Sequence, residues 1–152
     1  MDYPLLFSEI TAIQYVEFIH KLYEVNFQQS EYIKISEEFN FYKYTEYKIS
    51  SLSLGNRQKV VIITGLLLNL PLFVLDEPLV GLDVESVEVF QMKIEEYCRK
   101  GGTVVFSSHL LDIVKKFCHY ALILHNKTIH SKVKIDENFD IHKKFFEVIA
   151  NE

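Results

Sequence analysis

The stretch LPLFVLDEPLVGLD, Leu70 to Asp83, places a short apolar run directly before two adjacent carboxylates. The run Leu72–Leu75 predicts a short strand buried on both faces. Burying Asp76 beside Glu77 would cost several kcal/mol for each charge unless a cation met them. We therefore expect both acids to lie at the end of this strand and to face a cation.

The segments around this stretch alternate between helical and strand-like patterns. Thr11 opens a capping box and so predicts a helix start, and Ser30–Phe39 predicts a second helix. The later predictions are a helix from a Ser53 cap to Leu68, a helix Val84–Arg99, a strand Thr103–Phe106, a helix Leu110–Cys118, a strand Tyr120–Leu124 and, after a turn, Thr128–Val133. This order is typical of an α/β protein with a parallel sheet flanked by helices.

Polar residues follow two of the predicted strands. Asp76-Glu77 comes after the first and Ser107-Ser108-His109 after the second. Parallel sheets bind ligands at the carboxyl ends of their strands. We therefore expect these residues to share one edge of the sheet.

Composition limits the class of protein. The chain has 152 residues, 49% hydrophobic and 24% charged, which is typical of one globular domain or part of one. Its 16 basic and 21 acidic residues give a net charge of −5, which argues against a nucleic-acid partner. Cys98 and Cys118 fit neither a disulfide framework nor a metal site, which favours a reducing compartment.

Targeting and membrane signals are weak. The start MDYPLLFSEI lacks the basic region of a signal peptide. The most apolar stretch, GLLLNLPLFVL from Gly65, is interrupted by Asn69 and Pro71 and is shorter than the roughly 20 residues that span a bilayer. We expect a soluble cytoplasmic protein that could still bind a membrane protein.

An apolar strand that ends in Asp-Glu is typical of nucleoside triphosphatases. In such a site Asp76 would reach Mg²⁺, usually through water, and Mg²⁺ would bridge the phosphates of ATP. Glu77 would orient and deprotonate the attacking water. A strand end with two solvated acids and a helicase-type box are the alternatives for this motif alone.

Four segments in order resemble motifs of the ABC ATPases. Leu52–Asn56 resembles their LSGGQ signature, Gly81-Leu82-Asp83 their D-loop and Val105–His109 their switch strand, while Met1–Tyr23 resembles the segment after their Q-loop. A helicase would not carry this serine-glycine signature upstream or a D-loop directly after the acids. In the signature, Leu54 replaces a family Gly and Asn56 replaces a Gln.

The resemblance implies a role for each site residue. It implies that Asp76 holds Mg²⁺ through water, that Glu77 is the catalytic base and that His109 is the switch. It also implies that the ATP bound by a second subunit is contacted across a head-to-tail dimer by Ser53, Gly55, Asn56 and Asp83. A serine and a glycine at a helix N-terminus do offer a hydroxyl, free N–H groups and the positive end of the helix dipole. Taken alone, without the other motifs, Ser53 and Asp83 would be read as ordinary helix caps.

One family motif does not occur in these 152 residues, namely the phosphate-binding loop G-x-x-x-x-G-K-[ST], or Walker A. We therefore expect the C-terminal part of an ABC ATP-binding domain, a partial P-loop NTPase fold. Residues 4–58 would form a helical subdomain that carries the signature. Residues 59–152 would carry the Walker B, D-loop and H-loop half of the core.

The implied function is an ATP-hydrolysing subunit of an exporter-type ABC transporter. It would bind a transmembrane permease subunit and a second ATP-binding subunit, at the inner face of the cell membrane. A non-catalytic remnant, or a regulatory half-domain that pairs with an intact ATP-binding subunit, is the alternative. A soluble ABC protein acting on ribosomes or DNA is disfavoured by the acidic net charge and the exporter-like signature.

Overall fold

The structure is a computed structural model that describes residues 7–136 and 138–150. The first six residues of the Met1–Tyr23 segment lie outside the described part. The chain divides into two compact units, one that reaches Ser107 and one that begins at Ser108. None of the helices in the described ranges has the length and apolar character needed to cross a bilayer.

The first unit begins with three helices. Helix α1, Ala12–Leu22, starts with the predicted capping box, in which Thr11 and Gln14 exchange side-chain and backbone hydrogen bonds. Helix α2 spans Gln29–Glu38, and helix α3 spans Leu54–Leu68 with Ser53 as its N-cap. Asn69 ends α3 in a left-handed conformation with φ of 49°. The three helix predictions are confirmed to within a residue or two.

A strand, a helix and a strand follow in the same unit. Strand β1, Leu72–Leu75, pairs in parallel with strand β2, Thr103–Phe106, and helix α4, Val84–Arg99, connects them. The register aligns Leu75 with Phe106, so the two strands end level with each other. This βαβ unit brings the residues after both strands to one edge, as predicted.

The prediction that β1 is buried on both faces is wrong. Leu72 and Val74 are 54% and 65% exposed, whereas Leu75 is 5% exposed. Side chains alternate across a strand, so Leu72 and Val74 share one face. Within the described residues β1 pairs with β2 alone, and this face of the strand is exposed.

The second unit contains helix α5, Leu111–Phe117, strand β3, Tyr120–His125, strand β4, Thr128–Lys134, and helix α6, Ile141–Ala150. The order of elements predicted the third strand in the parallel sheet, and this is wrong, because β3 pairs antiparallel with β4 in a sheet of its own. The cause is the tight turn at Asn126 and Lys127, whose φ angles of 48° and 62° suit a two-residue hairpin.

Candidate functional site

The ends of β1 and β2 bring three polar residues together. The Ser107 N–H donates to the Leu75 carbonyl at 3.1 Å, which extends the strand pairing by one residue. The Ser107 hydroxyl oxygen accepts a hydrogen bond from the Glu77 N–H at 2.9 Å. The same hydroxyl donates to Oδ1 of Asp76. The predicted shared edge is therefore confirmed for Asp76, Glu77 and Ser107.

Glu77 has an uncommon backbone conformation. Its φ angle is 42°, in the left-handed region that costs a residue with a Cβ roughly 1–2 kcal/mol. The next residue, Pro78, is fully buried and anchors the chain after the turn. Strained residues of this kind concentrate at functional sites, so the conformation supports a role for Glu77.

The start of helix α3 forms a second group of site residues. Ser53 caps the helix by accepting a hydrogen bond from the Asn56 N–H at 3.3 Å. Gly55 lies against the loop after β1, because a Cβ on Gly55 would sit 2.1 Å from the Gly81 carbonyl oxygen. Gly81 itself has φ of 81°, which favours glycine. The segments that resemble the signature and the D-loop therefore contact each other within this chain.

Asp83 joins these two segments electrostatically. It caps α4 by accepting from the Ser86 N–H at 2.8 Å, and its other carboxylate oxygen accepts from Lys59 Nζ at 2.9 Å. Lys59 is buried and also donates to the Phe39 carbonyl at 2.9 Å. Hydrogen bonds from Ser86 and then from Lys59 lower the pKa of Asp83 to about 2.

Arg57 fixes the loop that precedes the signature helix. Its guanidinium group donates to the carbonyl oxygens of Ile49, Ser50 and Leu52 at 2.9–3.1 Å. These bonds hold the turn that leads into Ser53. The N-terminus of α3 is thereby set in one orientation, with Ser53 exposed.

His109 belongs to the second unit, where it precedes Leu110, the N-cap of α5. Beside it, the Ser108 hydroxyl accepts from the Leu110 N–H at 3.1 Å. That His109 shares the edge of the sheet with Asp76 and Glu77 stays a prediction.

Sequence reasoning missed the roles of Ser107 and Lys59. Ser107 was noted only as part of a motif, because its role depends on a hydrogen bond to Asp76, which lies 31 residues earlier in the chain. Lys59 carried a usable signal, since a lysine at the start of the apolar run Val60–Ile63 invites a search for a buried partner.

The carboxylates suit a metal ion whose remaining ligands are substrate phosphates and water. In the ranges 7–136 and 138–150, no group of three or more His, Cys, Asp or Glu side chains could hold a metal ion. Mg²⁺ is usually bound through one or two carboxylates together with substrate phosphates and water. The exposed carboxylate of Asp76 fits that ligand set.

The similar sequences are all named as ATP-binding proteins of transport or export systems. The ABC transporter ATP-binding protein AlbC of Bacillus subtilis is 60% identical over 151 residues, which covers 99% of this chain and 63% of AlbC. The cytochrome c biogenesis ATP-binding export protein CcmA of Reclinomonas americana is 32% identical over 130 residues, 84% of this chain and 59% of CcmA. The chain thus spans about three fifths of the length of these relatives. No family model matches it.

Solved structures agree in fold. The ATP-binding subunit of an ABC transporter matches 98% of this chain and 66% of its own length, with a TM-score of 0.86 and 24% identity. A dimeric ATP-binding cassette bound to ADP and Pi matches 90% of this chain and 61% of its own, with a TM-score of 0.76 and 22% identity. These structures show the fold, and the sequence relatives show that the chain belongs to the family of ABC transporter ATP-binding proteins.

Proposed function

We propose that this chain supplies the Walker B, D-loop and signature segments of an ATP-hydrolysing subunit in an ABC transporter. The observation that carries the proposal is the joint position of Asp76, Glu77 and Ser107 at the ends of two paired parallel strands. Because the chain spans only 63% of the length of AlbC, the activity of a whole subunit is itself proposed.

Each residue at the strand ends has a separate task. Asp76 would hold Mg²⁺ through water, and the bound ion would supply charge neutralisation for the phosphates. Glu77 would orient the attacking water and take its proton. His109 would contact the terminal phosphate or polarise the pair of Glu77 and water.

The signature helix would serve a second subunit. Ser53, Gly55 and Asn56 stand at the N-terminus of a 15-residue helix, where N–H groups and the helix dipole favour a phosphate. Asp83 lies beside them, and Lys59 connects it to the same helix. The arrangement supports a head-to-tail dimer in which each chain offers its signature to the nucleotide of the other.

The setting of the subunit is proposed from relatives. CcmA is named as an export protein, which supports an exporter. We place the protein in the cytoplasm, at the inner face of the cell membrane, through a permease partner and without a nucleic-acid partner. Because the 152 residues contain no phosphate-binding loop, we expect the chain alone to bind Mg-ATP weakly and to hydrolyse little.

The test joins this chain to the part of AlbC that it does not match. The joined protein should hydrolyse ATP, and Glu77→Gln should keep ATP binding but slow hydrolysis by at least about 100-fold, since a general base contributes that much. Glu88→Gln, on the exposed face of α4, is the control and should leave hydrolysis unchanged. Turnover that survives Glu77→Gln would remove Glu77 as the base.

The second candidate is a non-catalytic half-domain that pairs with an intact ATP-binding subunit. The observation that favours it is the exposed Ser53 cap at the N-terminus of α3, which the nucleotide of a partner subunit could reach. In that case the chain should co-purify with the intact subunit and bind it more tightly when ATP is present. Ser53→Ala should weaken this effect of ATP, because it removes a hydroxyl from the signature.

A further inference from the structure

We propose that Ser107 is a positioning residue that holds Asp76 and Glu77 in their working geometry at the metal–nucleotide site. The inference rests on the proposed function and deepens it. One hydroxyl group contacts both acidic residues, since its oxygen accepts from the Glu77 N–H and its hydrogen is donated to Asp76 Oδ1.

The strand register places this hydroxyl. Leu75 and Phe106 are aligned partners at the ends of β1 and β2, and the Ser107 N–H donates to the Leu75 carbonyl at 3.1 Å. Ser107 therefore stands beside Asp76 as a continuation of the ladder. A hydroxyl at this position reaches the residue after β1 and the residue after that, whereas an alanine would reach neither.

The contact to Glu77 supports its uncommon backbone. With φ at 42°, Glu77 turns the chain sharply out of the strand direction, and its N–H points to the neighbouring strand end. The Ser107 oxygen satisfies that N–H. Losing the acceptor would leave the turn free to relax and would shift the carboxylate proposed as the base.

The contact to Asp76 orients the carboxylate proposed for the metal. A hydroxyl has one hydrogen, and Ser107 gives it to Oδ1. With Oδ1 held, Oδ2 is the oxygen that can accept from a water on the metal. Groups that hold a metal ligand in this way typically change metal affinity by about 10-fold to 100-fold when they are removed.

The experiment uses the 152-residue chain with nitrogen-15 label and two readouts by NMR. One readout is the hydrogen-exchange rate of the Glu77 amide. The other is the broadening of the amides of residues 75–77 when Mn²⁺ is added in the presence of ATP. The variants are Ser107→Ala and the isosteric pair Ser107→Thr and Ser107→Val. Ser108→Ala is the control, because the Ser108 hydroxyl accepts from the Leu110 N–H before helix α5.

We expect Ser107→Ala to speed exchange of the Glu77 amide by about 10-fold and to raise the Mn²⁺ concentration for half-broadening by a similar factor. In Ser107→Thr both the exchange rate and the Mn²⁺ concentration for half-broadening should stay near the wild-type values, whereas in Ser107→Val they should match those of Ser107→Ala. Because two variants lack the hydroxyl, the test remains valid if one of them folds poorly. If Ser107→Ala and Ser107→Val behave like Ser108→Ala, the positioning role is overturned. If the wild-type amides do not broaden even at saturating Mn²⁺ and ATP, the metal site of the proposed function fails, whereas the Glu77 exchange rates of the variants still decide whether Ser107 positions the turn.

Discussion

At the start of helix α3, Gly55 lies so close to Gly81 that a methyl group would not fit between them. The clash would be with backbone, at 2.1 Å from the Gly81 carbonyl oxygen, so no side chain can move aside. Gly55→Ala should therefore lower the free energy of unfolding by about 1–3 kcal/mol, the usual cost of overpacking. Urea denaturation would measure it.

Gly101 provides the matched control for that prediction. A Cβ there meets nothing within 4 Å, although φ is 95°. Gly101→Ala should thus cost only the backbone strain, about 1 kcal/mol. An equal loss in the two variants would contradict the close approach of the signature helix to the loop that carries Gly81.

Asp83 makes stability depend on acid pH. Its folded pKa of about 2 lies below the value of about 3.9 expected in an unfolded chain. Its contribution is therefore complete above about pH 4 and is lost as the pH falls towards 2. The urea midpoint of wild type should fall more steeply over this range than that of Asp83→Asn.

Lys59→Met separates the contribution of Lys59 from that of Ser86 to the lowered pKa of Asp83. It removes one donor to Asp83 and leaves the Ser86 N–H in place. Its urea midpoint should show an intermediate slope between pH 4 and pH 2. Identical slopes for wild type, Lys59→Met and Asp83→Asn would contradict the role of Asp83.

Individual side chains differ in how much the sequence could predict. Ser53 and Asp83 were predictable as caps, because a cap bonds to residues three positions further along the chain. Lys59 was predictable only as a buried lysine in need of a partner, since the partners themselves, Phe39 and Asp83, lie 20 and 24 residues away. The same limit applied to Ser107. Local hydrogen bonds can be inferred from spacing, whereas contacts between elements need the fold.

Among the elements, local signals predicted helices and strands better than pairing. Caps and apolar periods placed α1, α3 and α4 well. The predicted pairing of β3 was wrong, because the order of strand, helix and strand was interpreted as parallel pairing. The two left-handed residues at Asn126 and Lys127 turn the chain back on itself. A turn was predicted at this point, but its hairpin geometry was not.

The β3–β4 turn offers a prediction at the same scale. Lys127 has φ of 62°, and glycine adopts this region without the penalty that a Cβ brings. Lys127→Gly should stabilise the hairpin by about 0.5–1 kcal/mol, seen as slower hydrogen exchange of the β3 amides. Lys132→Gly, within β4, is the control and should speed exchange, because glycine weakens a strand interior. Faster exchange in Lys127→Gly would contradict the turn geometry.

For the molecule as a whole, the open face of the β1–β2 sheet is the feature that most affects behaviour in solution. The side chains of this face, on alternate positions of the two strands, are all exposed: Leu72, Val74, Thr103 and Val105. Three of the four are apolar. Contiguous apolar surface on an unpaired sheet favours association with another chain.

We therefore expect the chain to self-associate through this face. The double change Leu72→Thr and Val74→Thr keeps strand-forming residues and removes apolar area where both side chains are already exposed, at 54% and 65%. It should lower the association seen by sedimentation velocity over a concentration series and leave the unfolding free energy nearly unchanged. Leu75→Thr is the control, because Leu75 is 5% exposed on the opposite face, and its loss should cost about 2–3 kcal/mol of stability without reducing association. A wild-type chain that stays monomeric at high concentration, or a double variant that associates as strongly as wild type, would rule out this face as the contact.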